Sequence, residues 1–345
     1  MEIAISGYGV LSHLGEGPGV LPVLLGEPPV PAEEVLDDGL SAPVGRIGLI
    51  RNHPFGRRYE RFGQMDTFSR YAFIAAGHAL DAAAIGAPDP GFEDGGVIYG
   101  TAYGCQDANA QFDQFSLDPV VGLRGASPLA FKGTVDNAPA GWSAVGYTLR
   151  GVNATFVSGI GAGAEALLCA RSAIVAGRAR RVVAGAVERL IPLQLAALYR
   201  DGDTPEPFAA EGAVMLVVED AAAAAERGHV PAGRLRAADR LPGCDAGTLQ
   251  DWITRSGYAR EELALVSLAP WPGPRRGELA TLVEEAGISR PPRIDGESAG
   301  SMMAGELPLA LAMTIERLRS TGISGPALVL GAGEGREVFA FIVET

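Results

Sequence analysis

The stretch GVNATFVSGIGAGAEALLCARSAIVAGRARRVVAGAVE, Gly151 to Glu188, decides the fold. Its apolar run to Val157 predicts a buried strand, Ser158 to Gly163 a glycine-rich turn, and Ala164 to Ala176, small and apolar at helical spacing, a buried helix. Gly177 closes that helix and Arg181 to Ala186 predicts the next buried strand, so the unit is β-turn-α-β with a parallel crossover. A tight turn from a strand into a helix N-terminus is a place for a nucleophile, because the helix end stabilises a thiolate or an oxyanion. Of Ser158, Gly159, Ile160, Gly161 and Ala162, only Ser158 has nucleophilic potential. On pattern alone, a turn that merely lets strand and helix pack closely outweighs a catalytic one.

The rest of the chain narrows the classes. Its 345 residues allow two ordinary domains or one large α/β unit, and 47% hydrophobic with 20% charged residues describes a globular protein. No apolar run approaches a membrane span and the start, MEIAISGYGV, has no basic segment ahead of its apolar one, so a cytoplasmic protein is expected. A net charge of −13 argues against nucleic acid and anionic membranes as partners. Cys105, Cys169 and Cys244 are odd in number and show no C-x-x-C spacing, which disfavours disulfides and zinc; no metal and no cofactor are expected. Cys169, mid-helix, reads as a small core residue. His13, His53, His78 and His229 are scattered, and none is near the elbow in sequence. His78, in an apolar helix, reads as a packed residue.

Read in order, Met1 to Gly15 opens with an alternating strand and a glycine-containing turn, and Glu16 to Arg61, rich in Pro and Gly, reads as an irregular excursion over the core. Asp66 to Ala84 is an amphipathic helix, Gly95 to Thr101 a buried strand, and Gly104 to Leu117 a candidate helix with Ala108, Gln111, Phe112 and Phe115 along one stripe. That stripe suits ordinary core or a dimer contact. After Arg227-Gly228 the pattern repeats: a strand near Arg234, helix Gly247 to Ser256, strand Leu263 to Leu268 and helix Gly277 to Ala286. A turn at Ile294 to Gly300, a long helix from Met302 to Arg319 and two strands, Ala327 to Leu330 and Val338 to Val343, complete it. The alternation favours a mostly parallel, layered α/β architecture in two similar halves, 1–228 and 229–345.

The chain resembles the β-ketoacyl synthases of the thiolase superfamily. In that family a G-P-x-x-T-V-x-T-A-C strand enters a small-residue helix and is followed by G-x-x-D-x-x-x-A-G-G-x-E. Gly151, Asn153, Thr155, Gly163, Ala166, Gly177, Ala184, Gly185 and Glu188 fall on this pattern, and Ile160 takes the place of the nucleophilic cysteine. The opening matches V-x-I-T-G-x-G-x-x-S-P-x-G at Ile5, Gly7, Gly9, Val10 and Ser12, and Thr204 to Ala225 matches the family's R-P-F-D…G-E-G-A stretch with a deletion. The resemblance implies a thiolase-like fold with layered αβαβα architecture. It also puts Pro270 on the first histidine, Ser301 on the second, Gly296 on the lysine, and Gly331 to Gly335 on the G-F-G-G turn beside the nucleophile. An aliphatic side chain cannot carry an acyl group as a thioester.

Losing all of these together implies an inactive subunit of the chain length factor kind. Such subunits pair with a catalytic ketosynthase in type II polyketide synthases, and their shared interface encloses the tunnel for the growing chain. The usual residue at the cysteine position there is glutamine, so Ile160 departs from the pattern; the short length and apolar elbow lean towards polyene-type relatives. The resemblance implies a ketosynthase partner in a heterodimer and an acyl carrier protein as a transient partner. It further implies a polyketide tunnel lined by Ala108, Gln111, Phe112 and Phe115, with Phe115 as its floor, and an interface holding Phe131, Asn137 and Trp142. Two alternatives stay open: an acyltransferase or hydrolase using Ser158 or Cys105, and a stand-alone homodimer that binds acyl groups or serves as a scaffold.

Overall fold

A computed structural model describes residues 1–26, 31–35, 39, 41–57, 59–86, 95–125, 127–199, 207–269, 276–288, 291–295 and 300–345. The first half of the chain supplies β1 (Ile3–Ser12), α1 (Thr67–Ala82), β2 (Gly95–Thr101), α2 (Gln106–Ser116), α3 (Ala138–Gly146), β3 (Asn153–Val157), α4 (Ala162–Val175), β4 (Arg181–Glu188) and β5 (Gly212–Asp220). The remainder supplies β6 (Gly233–Leu241), α5 (Ala246–Arg255), β7 (Leu265–Leu268), α6 (Arg276–Glu285), β8 (Arg293–Asp295), α7 (Glu306–Thr321), β9 (Ala327–Ala332) and β10 (Val338–Glu344).

These strands form one continuous sheet in the order β8-β7-β9-β10-β6-β1-β5-β4-β2-β3. The seam is the antiparallel pair of β1 and β6. Outward from it, one wing runs β1-β5-β4-β2-β3 and the other β6-β10-β9-β7-β8, so the same order of strands is used twice. The sheet is mixed rather than mostly parallel. Parallel pairing is confined to the outer strands β4-β2-β3 and β9-β7-β8, and the hairpin-like neighbours nearer the seam pair antiparallel. Sequence periodicity reports burial on both faces and not strand direction, which is why the prediction overreached.

Three apolar layers follow from the strand period of two. Along β5, Val214, Leu216 and Val218 face α4 and α7 in the central layer, while Ala213, Met215 and Val217 face α1. Along β10, Phe339, Phe341 and Val343 face the centre, while Val338, Ala340 and Ile342 face α5 and α6. The layers are therefore helix, sheet wing, central helices, sheet wing, helix, the thiolase-like αβαβα arrangement. The two central helices begin close together: a Cβ on Gly163 would lie 2.1 Å from the Ala304 carbonyl oxygen, so only glycine allows this approach.

The excursion after β1 is tied down by one buried carboxylate. Glu211 accepts from the Ile47 N–H at 2.9 Å, Arg46 Nη1 at 2.9 Å and Arg189 Nη1 at 3.0 Å. Within this region the short strand Glu33–Val35 pairs antiparallel with Ser41–Gly45, which pairs parallel with Ala209–Ala210, in a separate small sheet.

The outer strand β3 differs from its expected buried state. Among the described residues it pairs only with β2, and its ends, Asn153 and Val157, are exposed. Its apolar composition predicts depth in a core, yet the strand stands at the sheet's edge.

Candidate functional site

The elbow forms as its sequence predicts: β3 ends at Val157, Gly159 to Gly161 make one 3₁₀ turn, and α4 starts at Ala162. Gly159 has φ of 70°, in the left-handed region. The Gly331–Gly335 turn lies directly against it, and a Cβ on Gly159 would meet Glu334 Oε1 at 2.0 Å. Glu334 Oε1 accepts the Ile160 N–H at 3.1 Å. The Ile160 side chain is half-buried and packs on the apolar cluster of Leu190, Leu195, Tyr199 and Met303.

That arrangement bears on acyl chemistry. Acyl transfer needs a backbone N–H aimed at the oxyanion that develops on the attacked carbonyl. Here the N–H at the elbow is engaged by a carboxylate, which also repels a second negative charge at the same place. The neighbouring hydroxyl is occupied too: Ser158 Oγ donates to Glu165 Oε2 at 2.5 Å, and Arg240 bridges Glu165 (3.4 Å) and Glu337 (3.3 Å). An ion-paired carboxylate is a weak base for an alcohol. Cys105 is buried, and burial together with Asp136 pushes its thiol up to about 12, which removes it as a nucleophile.

Beneath the elbow lie two buried carboxyls, Glu188 on the family pattern and Glu306, to which sequence reasoning gave no role. Glu188, at the end of β4, is fully buried and accepts from the Ala102 N–H; burial raises its carboxyl to about 8. Glu306, the first residue of α7, is held well above the usual carboxylate range by burial and by the neighbouring Glu188. Ser301 donates its hydroxyl to Glu306. The residue expected on the second histidine position is thus directed into this pair, and it cannot supply a basic nitrogen. Pro270, expected on the first, lies outside the described residues, as does Gly296. Glu334 was legible only as a departure, standing within a turn that the resemblance makes all glycine and phenylalanine.

The stripe on α2 is divided. Ala108, which is buried, and Gln111 line a pocket of about 230 Å³ with Gly63, Met65, Asp66 and Ala130. Phe112 sits 5.7 Å from the Phe131 ring, whereas Phe115 lies outside the pocket and is 47% exposed. Phe131 is 59% exposed; Asn137 is exposed at the start of α3; Trp142 packs edge-on against Tyr59 at 6.3 Å. Among the described residues no helix is long and apolar enough to cross a membrane.

The family model described as "Beta-ketoacyl synthase, N-terminal domain" matches residues 24–205, more than half of the chain, and the chain belongs to that family. Solved structures agree in fold. The ishigamide ketosynthase/chain length factor is 20% identical, with a TM-score of 0.78 over 100% of this chain and 99% of that one. A type II PKS acyl-carrier protein in complex with its ketosynthase bound to the hexaketide gives 16% identity and a TM-score of 0.83, covering 100% and 99%. A β-ketoacyl synthase from Burkholderia phymatum gives 17% and 0.80, covering 99% of each chain. No curated protein matches the chain in sequence.

Proposed function

We propose that this protein is a non-catalytic chain length factor: a subunit that pairs with a catalytic ketosynthase of a type II polyketide synthase, of polyene type, and shapes the tunnel that limits the product. The observation that carries the reading is the elbow, where Ile160 fills the nucleophile position and Glu334 takes its N–H. The family's reaction needs a thiolate to receive the acyl group and an oxyanion site to stabilise the transfer. Both functions are blocked here by residues on opposite wings of the sheet.

Pairing is supported by the edge strand β3, unpaired on one side among the described residues, since such a strand is a template for another chain. Phe115, Leu117, Phe131 and Val145 are exposed in the first half, and their burial would require a partner. Phe115 would reach beyond this subunit's own pocket and set the floor of the partner's tunnel, with Ala108, Gln111 and Phe112 behind it; Phe131, Asn137 and Trp142 belong to the interface. The acyl carrier protein would be a transient visitor delivering to the ketosynthase. The division into halves 1–228 and 229–345 belongs to the same proposal, supported by the repeated strand order, and so does a cytoplasmic setting.

The test is where acyl groups go. Incubated with an activated acyl thioester, this chain takes up no acyl adduct by mass spectrometry, alone or in complex, while the ketosynthase does. An adduct on Ser158 or any other residue of this chain would overturn the reading in favour of an independent enzyme.

A further inference from the structure

We propose that Glu16, His53 and His78 bind a divalent transition-metal ion of the zinc class. Their donor atoms all lie within 4.8 Å of one another. His53 Nε2 is 2.9 Å and 3.0 Å from the two Glu16 carboxylate oxygens, and His78 Nε2 is 3.7 Å from Oε1. The last distance is too long for a hydrogen bond, and His78 Nε2 is buried with no hydrogen-bond partner among the described residues. An orphaned buried nitrogen calls for a water or an ion. Zinc bonds of about 2.0–2.1 Å in tetrahedral geometry set neighbouring ligand atoms roughly 3.4 Å apart, and the distances here straddle that value.

Two imidazoles and a carboxylate are a donor set that zinc accepts while leaving a fourth position for water. Phe55 encloses the site on its apolar side, with ring centroids 5.1 Å from His53 and 4.9 Å from His78. The Glu16 side chain, 40% exposed, opens the other side to solvent. One contact opposes binding. The Phe55 N–H donates to His53 Nδ1 at 3.2 Å, and ligation through Nε2 puts the proton on Nδ1, so this bond is given up. A single long, neutral hydrogen bond is small beside the binding energy of a metal site.

The three ligands come from the turn after β1, the excursion and α1, so the ion would fasten the excursion to the core helix. No sequence motif marks such a site, since the ligands are far apart along the chain.

The full chain, in its complex if it needs one to fold, would be equilibrated with zinc and titrated against a chromophoric chelator. One ion per chain is expected. His78→Ala and Glu16→Gln should each weaken binding by about 100-fold or more, whereas Cys244→Ser, which removes a partly exposed thiol, should leave it unchanged. Zinc should also raise the unfolding temperature of the wild type and not of Glu16→Gln. Absence of stoichiometric binding, or binding that survives both ligand substitutions, overturns the proposal. If His78→Ala does not fold, Glu16→Gln on its exposed turn decides the matter alone.

Discussion

The two wings of the sheet share one strand order and differ in their surfaces. On the first, Phe115, Leu117, Val120, Val121, Phe131, Val135, Val145 and Val157 are exposed; from β6 to the C-terminus no large hydrophobic side chain is exposed among the described residues. Among the described residues both outer strands, β3 and β8, are edges of the sheet, so the wings differ in exposed apolar side chains and not in strand pairing. A fold that is repeated internally therefore exposes large apolar side chains on one wing and not on the other. Monomeric proteins rarely leave so many neighbouring apolar side chains in water. In the proposed pairing the first wing meets the partner and the second faces solvent.

The largest effect should come from charging the open wing. Phe131→Asp with Leu117→Asp is expected to weaken pairing with the ketosynthase by about 1000-fold, as two central interface residues can. The unfolding free energy should stay within about 0.5 kcal/mol, because both side chains are exposed. Thr254→Asp, on the exposed side of α5, should leave pairing intact. Equal losses from both changes, measured by calorimetric titration, would break the comparison of the wings.

The second effect concerns the elbow, where the wings meet. Ile160→Cys alone should be acylated poorly by an activated thioester, because Glu334 still holds the N–H at position 160. Adding Glu334→Ala should speed acylation by about 100-fold, the worth of one oxyanion donor. Equal rates for the single and double variants would show that Glu334 does not guard the site.

A third, smaller effect is in pH. Glu188 has its folded pKa raised to about 8, above its ordinary carboxylate value, so the folded state holds the proton more tightly than the unfolded one. Stability from this group is complete below the unfolded pKa and is lost as pH rises towards 8. A fall on the order of 3 kcal/mol between pH 5 and pH 8 is expected in chemical denaturation. Glu188→Gln, similar in shape and without charge, should flatten that slope. The smallest effect on stability is that of Phe115→Ala, whose readout is instead the product: the paired complex should release a longer chain, and an unchanged distribution in a folded pair would remove Phe115 from the tunnel.

What could be read in the sequence follows from range. The strand-turn-helix around Ser158 to Gly163 was legible because its glycines and small residues are local requirements, and α1 was legible because Phe68, Tyr71, Ala72, Ala75 and Ala79 recur at helical spacing, and all five are buried. The second wing was legible as a repeat of alternating periods. Strand direction and the exposure of β3 were not, since burial pattern carries neither. Nor were the contacts of Glu334 with Ile160 and of Ser301 with Glu306, which depend on how the wings close over α4 and α7. The replacement of the cysteine could be read; the carboxylate that occupies its N–H could not.

The most direct measurement is the mass of the assembly formed when this chain is co-expressed with the ketosynthase encoded nearest to it. A one-to-one heterodimer, with the lone subunit unstable or aggregated because its first wing is uncovered, is the predicted result. A self-contained homodimer that binds no ketosynthase would contradict the account and return attention to Ser158 and to a bound acyl ligand.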